Sequence, residues 1–243
     1  MEFEDQAFVL SARSHGEAGA IVEALTAAHG KWAAHVAGGA SRRMKPFLQP
    51  GARIDFSYRA RVSDQLGSAR LEPIGQGPAA LFDDSSALAA LAAASAVVAA
   101  ALPEREPHPG VFLAFEALLG ALADDGVWPA VLVRFEAGLL AELGFGLDLS
   151  RCAVTGGADD LVWVSPRTGR AVSASAGEPW RERLLALPPF LLSAQTRLEP
   201  GDVDAGLKLT GHFLELCVFG PLNRPLPAAR ERLLDSLRER GRL

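Results

Sequence analysis

The segment Ser41-Arg42-Arg43-Met44-Lys45 puts three cationic side chains within four residues, between Gly38-Gly39-Ala40 and Pro50-Gly51. Just beyond it, Arg53, Asp55, Ser57, Arg59 and Arg61 alternate with Ala52, Ile54, Phe56, Tyr58, Ala60 and Val62, giving one apolar face and one largely basic one. Cations clustered in a loop and along one face of a strand attract phosphodiesters through charge alone, with an affinity that falls steeply with salt. Together with Lys31 upstream, the candidate polynucleotide-binding residues are Lys31, Arg42, Arg43, Lys45, Arg53, Arg59 and Arg61. Trp32 and Tyr58 are the aromatics on hand to stack bases. The plainer alternative is a solvated loop and an ordinary polar strand face, in a chain that uses 21 arginines against three lysines.

A second candidate is Arg134, in a helix with Ala130, Ala137, Gly138 and Ala141 around it. Small residues let another backbone approach while the guanidinium reaches a carboxylate, which suits an acidic peptide. A structural ion pair is the alternative.

Catalytic spacing is missing. His15, His29, His35, His108 and His212 form no HxxxH or HExxH pattern, and no phosphate loop, nucleophile elbow or Cys/His pair is present. His35 on a strand and His212 on a helix read as surface or capping residues. Asp202-x-Asp204 stands at a helix start, where capping explains it. No catalytic residue, metal ligand or cofactor is assigned.

These residues need elements to hold them. Residues 52–62 alternate apolar and polar with period two, a half-buried strand. Ala7–Arg13, Ala20–Ala28, Lys31–Ala37 and Ser68–Ile74 read as four more strands, the second and third joined at Ala28-His29-Gly30. Five short strands in about 75 residues suit a small closed barrel, of which the OB-fold is the commonest type. Composition changes at Gly75-Gln76-Gly77-Pro78, which sets domains of 1–77 and 78–243. Helices follow. One is alanine-rich, capped within Asp83-Asp84-Ser85-Ser86 and closed by Pro103. Another covers Val111–Leu122, and a third runs from Pro129 to Leu143 with Gly144 as its stop. The last two are Asp202–Phe219, with Asp202 as cap, and Pro227–Arg240. A β-hairpin within 152–176, turning around Arg167–Gly169, interrupts them. The fold class is α+β: an N-terminal five-stranded barrel, then an all-α domain with an inserted hairpin.

The chain has 243 residues, 49% of them hydrophobic and 22% charged, ample for a buried core. Its net charge of −5 hides a segregation: residues 31–70 carry +6, residues 76–165 carry −9 and residues 166–243 carry +3. A local patch sets the local potential, so the total does not exclude a polyanionic ligand. Two cysteines cannot make a disulfide framework. The longest apolar run, Ala87–Leu102, has 16 residues, fewer than the roughly 20 a membrane span needs. With an acidic N-terminus and no signal-like segment, a soluble cytoplasmic protein without a membrane partner is expected.

In order along the chain, several stretches are similar to the RecO family of recombination mediators in DNA repair. They are Ala7-Phe8-Val9-Leu10 with Gly16-Glu17, Ile21-Val22, Leu25-Thr26, and His29-Gly30-Lys31. Val36-Ala37-Gly38-Gly39-Ala40-Ser41-Arg42-Arg43 and Leu48-Gln49-Pro50-Gly51 follow. Later come Arg134-Phe135-Glu136, Leu139-Leu140 and Leu143-Gly144-Phe145-Gly146-Leu147-Asp148. The resemblance covers nearly the whole chain. It implies an OB-fold followed by a helical domain, without catalysis of covalent chemistry. It also implies binding of single- and double-stranded DNA, strand annealing, and recombinase loading on single strands coated by single-strand-binding protein. The implied partners are RecR and the acidic, hydrophobic C-terminal tail of the single-strand-binding protein, for which Arg134 is the candidate contact. Many members carry a four-cysteine zinc site. Here Cys152 fits the first ligand position, whereas Thr155, Ser173 and Ala176 stand where or near where the others belong, which predicts a metal-free hairpin held by Val162, Val164 and Val172. The alternatives are an RNA-binding or translation-associated OB protein, a protein-only scaffold, and a metal-dependent hydrolase assembled from His15, His35, Asp202 and Asp204.

Overall fold

The computed structural model of the protein describes residues 1–62, 65–75, 78, 85–193 and 195–243. Gln76 and Gly77 of the compositional break, and the capping candidates Asp83 and Asp84, lie outside the described residues. The chain divides into two compact units, Met1–Ala123 with Pro227–Leu233, and Asp124–Leu226 with Leu234–Leu243.

The first unit opens with β1 (Glu2–His15), β2 (Gly19–Thr26), β3 (Gly30–Val36), β4 (Arg53–Arg59) and β5 (Gly67–Pro73). They close into a barrel in the order β1-β2-β3-β5-β4, the OB-fold arrangement that the period-two pattern called for. The long β1 serves two neighbours. Its first half pairs with β4 from Glu2↔Arg59 to Phe8↔Arg53, and its second half pairs with β2 as far as His15↔Gly19. A parallel contact, Ala34↔Gly67 and His35↔Ser68, joins β3 to β5 and completes the ring.

Inward-pointing Val9, Val22, Trp32, Ile54, Phe56, Tyr58 and Leu71 fill the barrel. Gly67 has no alternative at its position, since a Cβ there would lie 2.4 Å from the Tyr58 ring, whose hydroxyl accepts the Gly67 N–H at 3.2 Å. The expected alternation ran through Val62, but the β4 ladders end at Arg59, paired with Glu2 and Ser68, and Val62 is exposed.

Helices α1 (Ser85–Ala101) and α2 (Pro109–Ala121) belong to the same unit. Alanine is the strongest helix former and its short side chain permits close packing. Thus α1 buries Ala87, Ala90, Ala93 and Ala94 beside Leu91, Val97 and Val98. From α2, Phe112 and Phe115 meet Phe8 of β1 with ring centroids 4.9 and 5.4 Å apart. The compact unit therefore reaches past the break at 75–78.

The second unit is built on α3 (Trp128–Glu142) and α5 (Asp202–Phe213). Gly144, at φ +85°, stops α3 as its position predicted. The helices approach where Gly206 faces Val133 and Phe190, and the buried Thr210 hydroxyl donates to the Glu136 carboxylate. Asp202 does not cap α5. The residue before the helix is Gly201, at φ +88°, and the Asp202 carboxylate instead accepts the Glu199 N–H at 2.9 Å, closing the preceding turn. The helical path continues to Phe219 as a π-turn over Leu214–Phe219.

Between these helices lies the expected hairpin, β6 (Leu161–Val164) and β7 (Ala171–Ser173), with an unforeseen third strand β8 (Leu185–Ala186) on its other edge. A register shift between Leu161 and Trp163 breaks the alternation, so Leu161 and Val164 are buried while Val162 is turned outward. The Val162 side chain therefore takes no part in the packing that holds the hairpin, although its carbonyl accepts the Leu187 N–H at 2.9 Å. The one-turn α4 (Ala174–Gly177) follows β7, and α6 (Ala228–Glu239) ends the chain. No helix among the described residues is long and apolar enough to cross a membrane.

Candidate nucleic-acid interface

Directly paired residues on neighbouring strands point to the same side of a sheet, so register alone sorts the barrel's outer side chains into rows. One row reads Arg13–Ile21–His35–Ser68–Arg59 across β1, β2, β3, β5 and β4. Another reads Arg53–Phe8–Leu25–Lys31 across β4, β1, β2 and β3. The seven predicted residues fall on different sides of this division.

The second row is covered. Phe8 and Leu25 are buried under the helices of the same unit, and Lys31 is only 8% exposed. Its Nζ donates to the Ala99 carbonyl at 2.5 Å, in the last turn of α1, where free carbonyls and the helix dipole favour a cation. Arg53 lies over the Phe8 ring, pairs with Glu116 of α2 at 2.5 Å and donates to the Gln6 side chain at 2.7 Å. Lys31 is thus buried, and Arg53, though its side chain is 37% exposed, is engaged by Glu116 and Gln6. The period-two pattern showed the two cations on the outer face but could not show that helices roof that part of it.

The first row is open at its polar positions: Arg13, Ser68 and Arg59 are exposed and His35 is half-buried, while Ile21 between Arg13 and His35 is buried. Arg59, Arg61, His35 and Ser68 line a cleft of about 660 Å³ with Gln65 and Gly67. Around Lys45 a smaller cleft of about 290 Å³ includes Arg13, Ser14 and Gln49. His15 and His35 meet edge to face at 5.7 Å. Arg13 and His35 are thus sited with the predicted cations. The sequence signal for them was weak, because only register brings β1 and β3 onto one row with Arg59.

Arg42, Arg43 and Lys45 are all exposed and have no carboxylate partner among the described residues. Successive turns shape their loop, with the Met44 and Lys45 N–H groups both bonded to the Ser41 carbonyl at 3.1 Å. A 3-10 turn, Lys45–Leu48, then sinks Leu48 into the barrel core and tethers the loop to the fold. The base-stacking reading of Trp32 and Tyr58 is overturned: they are 2% and 1% exposed and pack inside the barrel against Phe3.

In the second unit Arg134 lines a groove of about 390 Å³ with Val127, Ala130, Val131, Phe190, Arg197 and Leu198. Its guanidinium donates to the Phe190 carbonyl and to the Ser193 carbonyl at 3.1 Å. It is therefore braced by backbone rather than by the ion pair considered as the alternative. Ala130 lines the groove as the small-residue face suggested, while Gly138 and Ala141 do not. An apolar floor with two guanidinium groups suits a short acidic, hydrophobic segment.

Zinc does not fit at Cys152. Its buried sulfur accepts hydrogen bonds from the Ser173 N–H at 3.3 Å, the Ser173 hydroxyl at 3.4 Å and the Thr155 N–H at 3.5 Å. The side chains at 155 and 173 are a threonine and a serine, a donor set without the further thiolates a tetrahedral structural site requires. Burial works to raise the Cys152 thiol, but the hydrogen bonds from Ser173 and Thr155 outweigh it and hold the group at about 6. The two aspartates of the hydrolase alternative are engaged within their own unit. Asp204 is paired with Lys208 at 2.5 Å and Asp202 with the Glu199 N–H. No group of three or more His, Cys, Asp or Glu among the described residues is placed to hold a metal ion.

Residues 1–75 match the family described as Recombination protein O N terminal, and residues 83–225 match Recombination protein O C terminal. Over all 243 residues the chain is 75% identical to a protein of Phenylobacterium zucineum named DNA repair protein RecO, covering 100% of both. A protein of the same name from Caulobacter vibrioides is 70% identical, again with 100% of both covered. Another from Rhodospirillum centenum is 52% identical over 241 residues, 98% of this chain and 96% of the relative.

Proposed function

The chain belongs to the RecO family of DNA repair proteins, and on that premise we propose that it binds single- and double-stranded DNA through the open row and loop of its barrel. The supporting observation is the exposure of Arg42, Arg43, Lys45, Arg59 and Arg61, none of them roofed by the helices that cover Lys31 and Arg53. Five such cations displace condensed counterions wherever the backbone runs past them, and this favours binding without reading bases. Two strands held on one cationic surface repel each other less, so annealing requires no covalent chemistry. In this reading the protein mediates recombination: it anneals complementary strands and, with RecR, helps load the recombinase onto strands coated by single-strand-binding protein. The groove at Arg134 receives that protein's acidic C-terminal tail.

Charge reversal of Arg42, Arg43 and Lys45 together is the test for the barrel. Duplex binding should weaken and its log–log salt slope should fall by roughly 2–3, about one unit for each lost contact. Unchanged affinity and slope would remove the loop from the site. For the groove, Arg134→Ala should weaken binding of a tail peptide while DNA binding stays as it was. Loss of thermal stability with unchanged peptide affinity would make Arg134 a brace for the 190–193 segment and nothing more. Competition between matched DNA and RNA oligonucleotides distinguishes this reading from an RNA-binding role.

A further inference from the structure

Among the described residues, the barrel that carries the cations has no exposed Trp, Tyr or Phe ring: Phe47 of the cationic loop is half-buried, and the exposed ring beside the open row is the smaller imidazole of His15. Trp32, Phe56 and Tyr58 are buried, and Phe3 is packed against Trp32 and Tyr58. Charge alone holds a single strand by its backbone, and proteins that bind such strands also give their bases a flat surface on which to stack. An indole of that kind stands in the second unit. Trp180 is 57% exposed, in the 3-10 segment Glu178–Arg183, whereas Trp128 is fully buried.

Charged groups surround this indole. The Arg183 guanidinium lies 5.8 Å from the Trp180 ring centroid, within cation–π distance. Arg181 is next in sequence and pairs with Glu178 at 3.4 Å, and Glu182 completes a hollow of about 370 Å³ with these residues. The backbone is anchored on both sides. Before Trp180, Gly177 sits so close to the Trp163 ring that a Cβ would lie 2.4 Å from it. After it, β8 pairs with β6 through Trp163↔Ala186 and Val164↔Leu185. A ring displayed from a fixed backbone loses little freedom when a ligand stacks on it.

We propose that Trp180, with Arg183 at its ring and Arg181 beside it, is a base-stacking platform for single-stranded polynucleotide. The proposal rests on the polynucleotide reading above and adds a site in the other unit. One indole among four charged side chains is far smaller than the apolar patch a protein partner requires. It matches the face of one nucleobase, with the Arg183 guanidinium beside it to favour the polyanion. Duplex bases keep their faces within the helix, so the platform favours single strands.

The test uses the full chain and an oligo(dT) of about 40 nucleotides, longer than one OB-fold site. Binding is followed by anisotropy of the oligonucleotide and by tryptophan emission. Wild-type emission should be quenched on saturation, since Trp180 is the tryptophan open to a stacked base. Trp180→Ala should abolish that quenching and weaken oligo(dT) binding roughly tenfold, the loss of about one stacked base. Trp180→Phe, which keeps a ring and guards against misfolding of the alanine variant, should stay within about threefold of wild type on the same scale. Duplex affinity should not change in either variant. Oligo(dT) binding by Trp180→Ala equal to wild type overturns the platform while leaving the barrel reading intact. So does an equal loss of single- and double-strand binding. Failure of the wild-type protein to bind either form would instead remove the polynucleotide reading on which the proposal rests.

Discussion

Lys31 and Arg59 lie on the outer face of one barrel, each at the end of a row of paired side chains. Lys31 is roofed by α1 and satisfied by the Ala99 carbonyl, while Arg59 stands in solvent at the rim of a cleft, its Nε 3.9 Å from the equally exposed Glu2 carboxylate. The two rows separate what a positive charge can do in a fold. A covered cation has its field cancelled at close range by a carbonyl or carboxylate, so its contribution is to stability. An open cation, even one beside an exposed carboxylate as Arg59 is beside Glu2, is bound only weakly by that partner and keeps much of its field for a ligand. The same division holds in the second unit, where the hydrogen-bonded sulfur of Cys152 is covered and the Trp180 ring is open.

The largest effect that would sharpen this contrast is expected at the covered row. Lys31→Glu sets a buried carboxylate against the Ala99 carbonyl, and urea unfolding should show a loss of about 3–5 kcal/mol. If stability holds and DNA binding falls, the rows have been assigned the wrong way round. Next comes the open loop. Reversing Arg42, Arg43 and Lys45 should lower DNA affinity about a hundredfold at low salt, with little change in melting temperature.

The covered sulfur has a pH signature. The Cys152 thiol is held at about 6 in the fold against an ordinary value of 9.0, so between these values the unfolded chain binds more protons than the native one. Stability should therefore rise as pH increases from about 6 towards 9 and be lost as pH falls back through 6. Unfolding curves of Cys152→Ala should lack this rise. The smallest effect belongs to the cleft rim. Arg59→Ala with Arg61→Ala should reduce affinity about tenfold and take about two units from the salt slope, without a stability change. A stability loss there comparable with that of Lys31→Glu would break the contrast.

Much of the fold could be read from local pattern. Alternation marked the strand in 52–62, four shorter runs marked its neighbours, and Gly144, Pro103 and Pro129 marked helix limits within a residue or two. The exceptions have physical causes. Val62 continues the alternation of β4 but has no strand partner, since pairing stops at Arg59. Val162 looked like core, yet a one-residue register shift turned it outward. Trp32 and Tyr58 suited a base-binding face by residue type, and strand register placed them inside the barrel instead.

By itself the sequence determined the family, the five-stranded barrel followed by helices, and the concentration of positive charge in residues 31–70, because each depends on residue type and on spacing along the chain. Tertiary structure alone decided which of those charges are available. Arg53 and Arg59 have the same chemistry and sit six positions apart on one face of β4, but Glu116 of α2 reaches only the first. Whether a cation is free depends on what lies above it, and the groups above it come from distant parts of the chain brought close by folding.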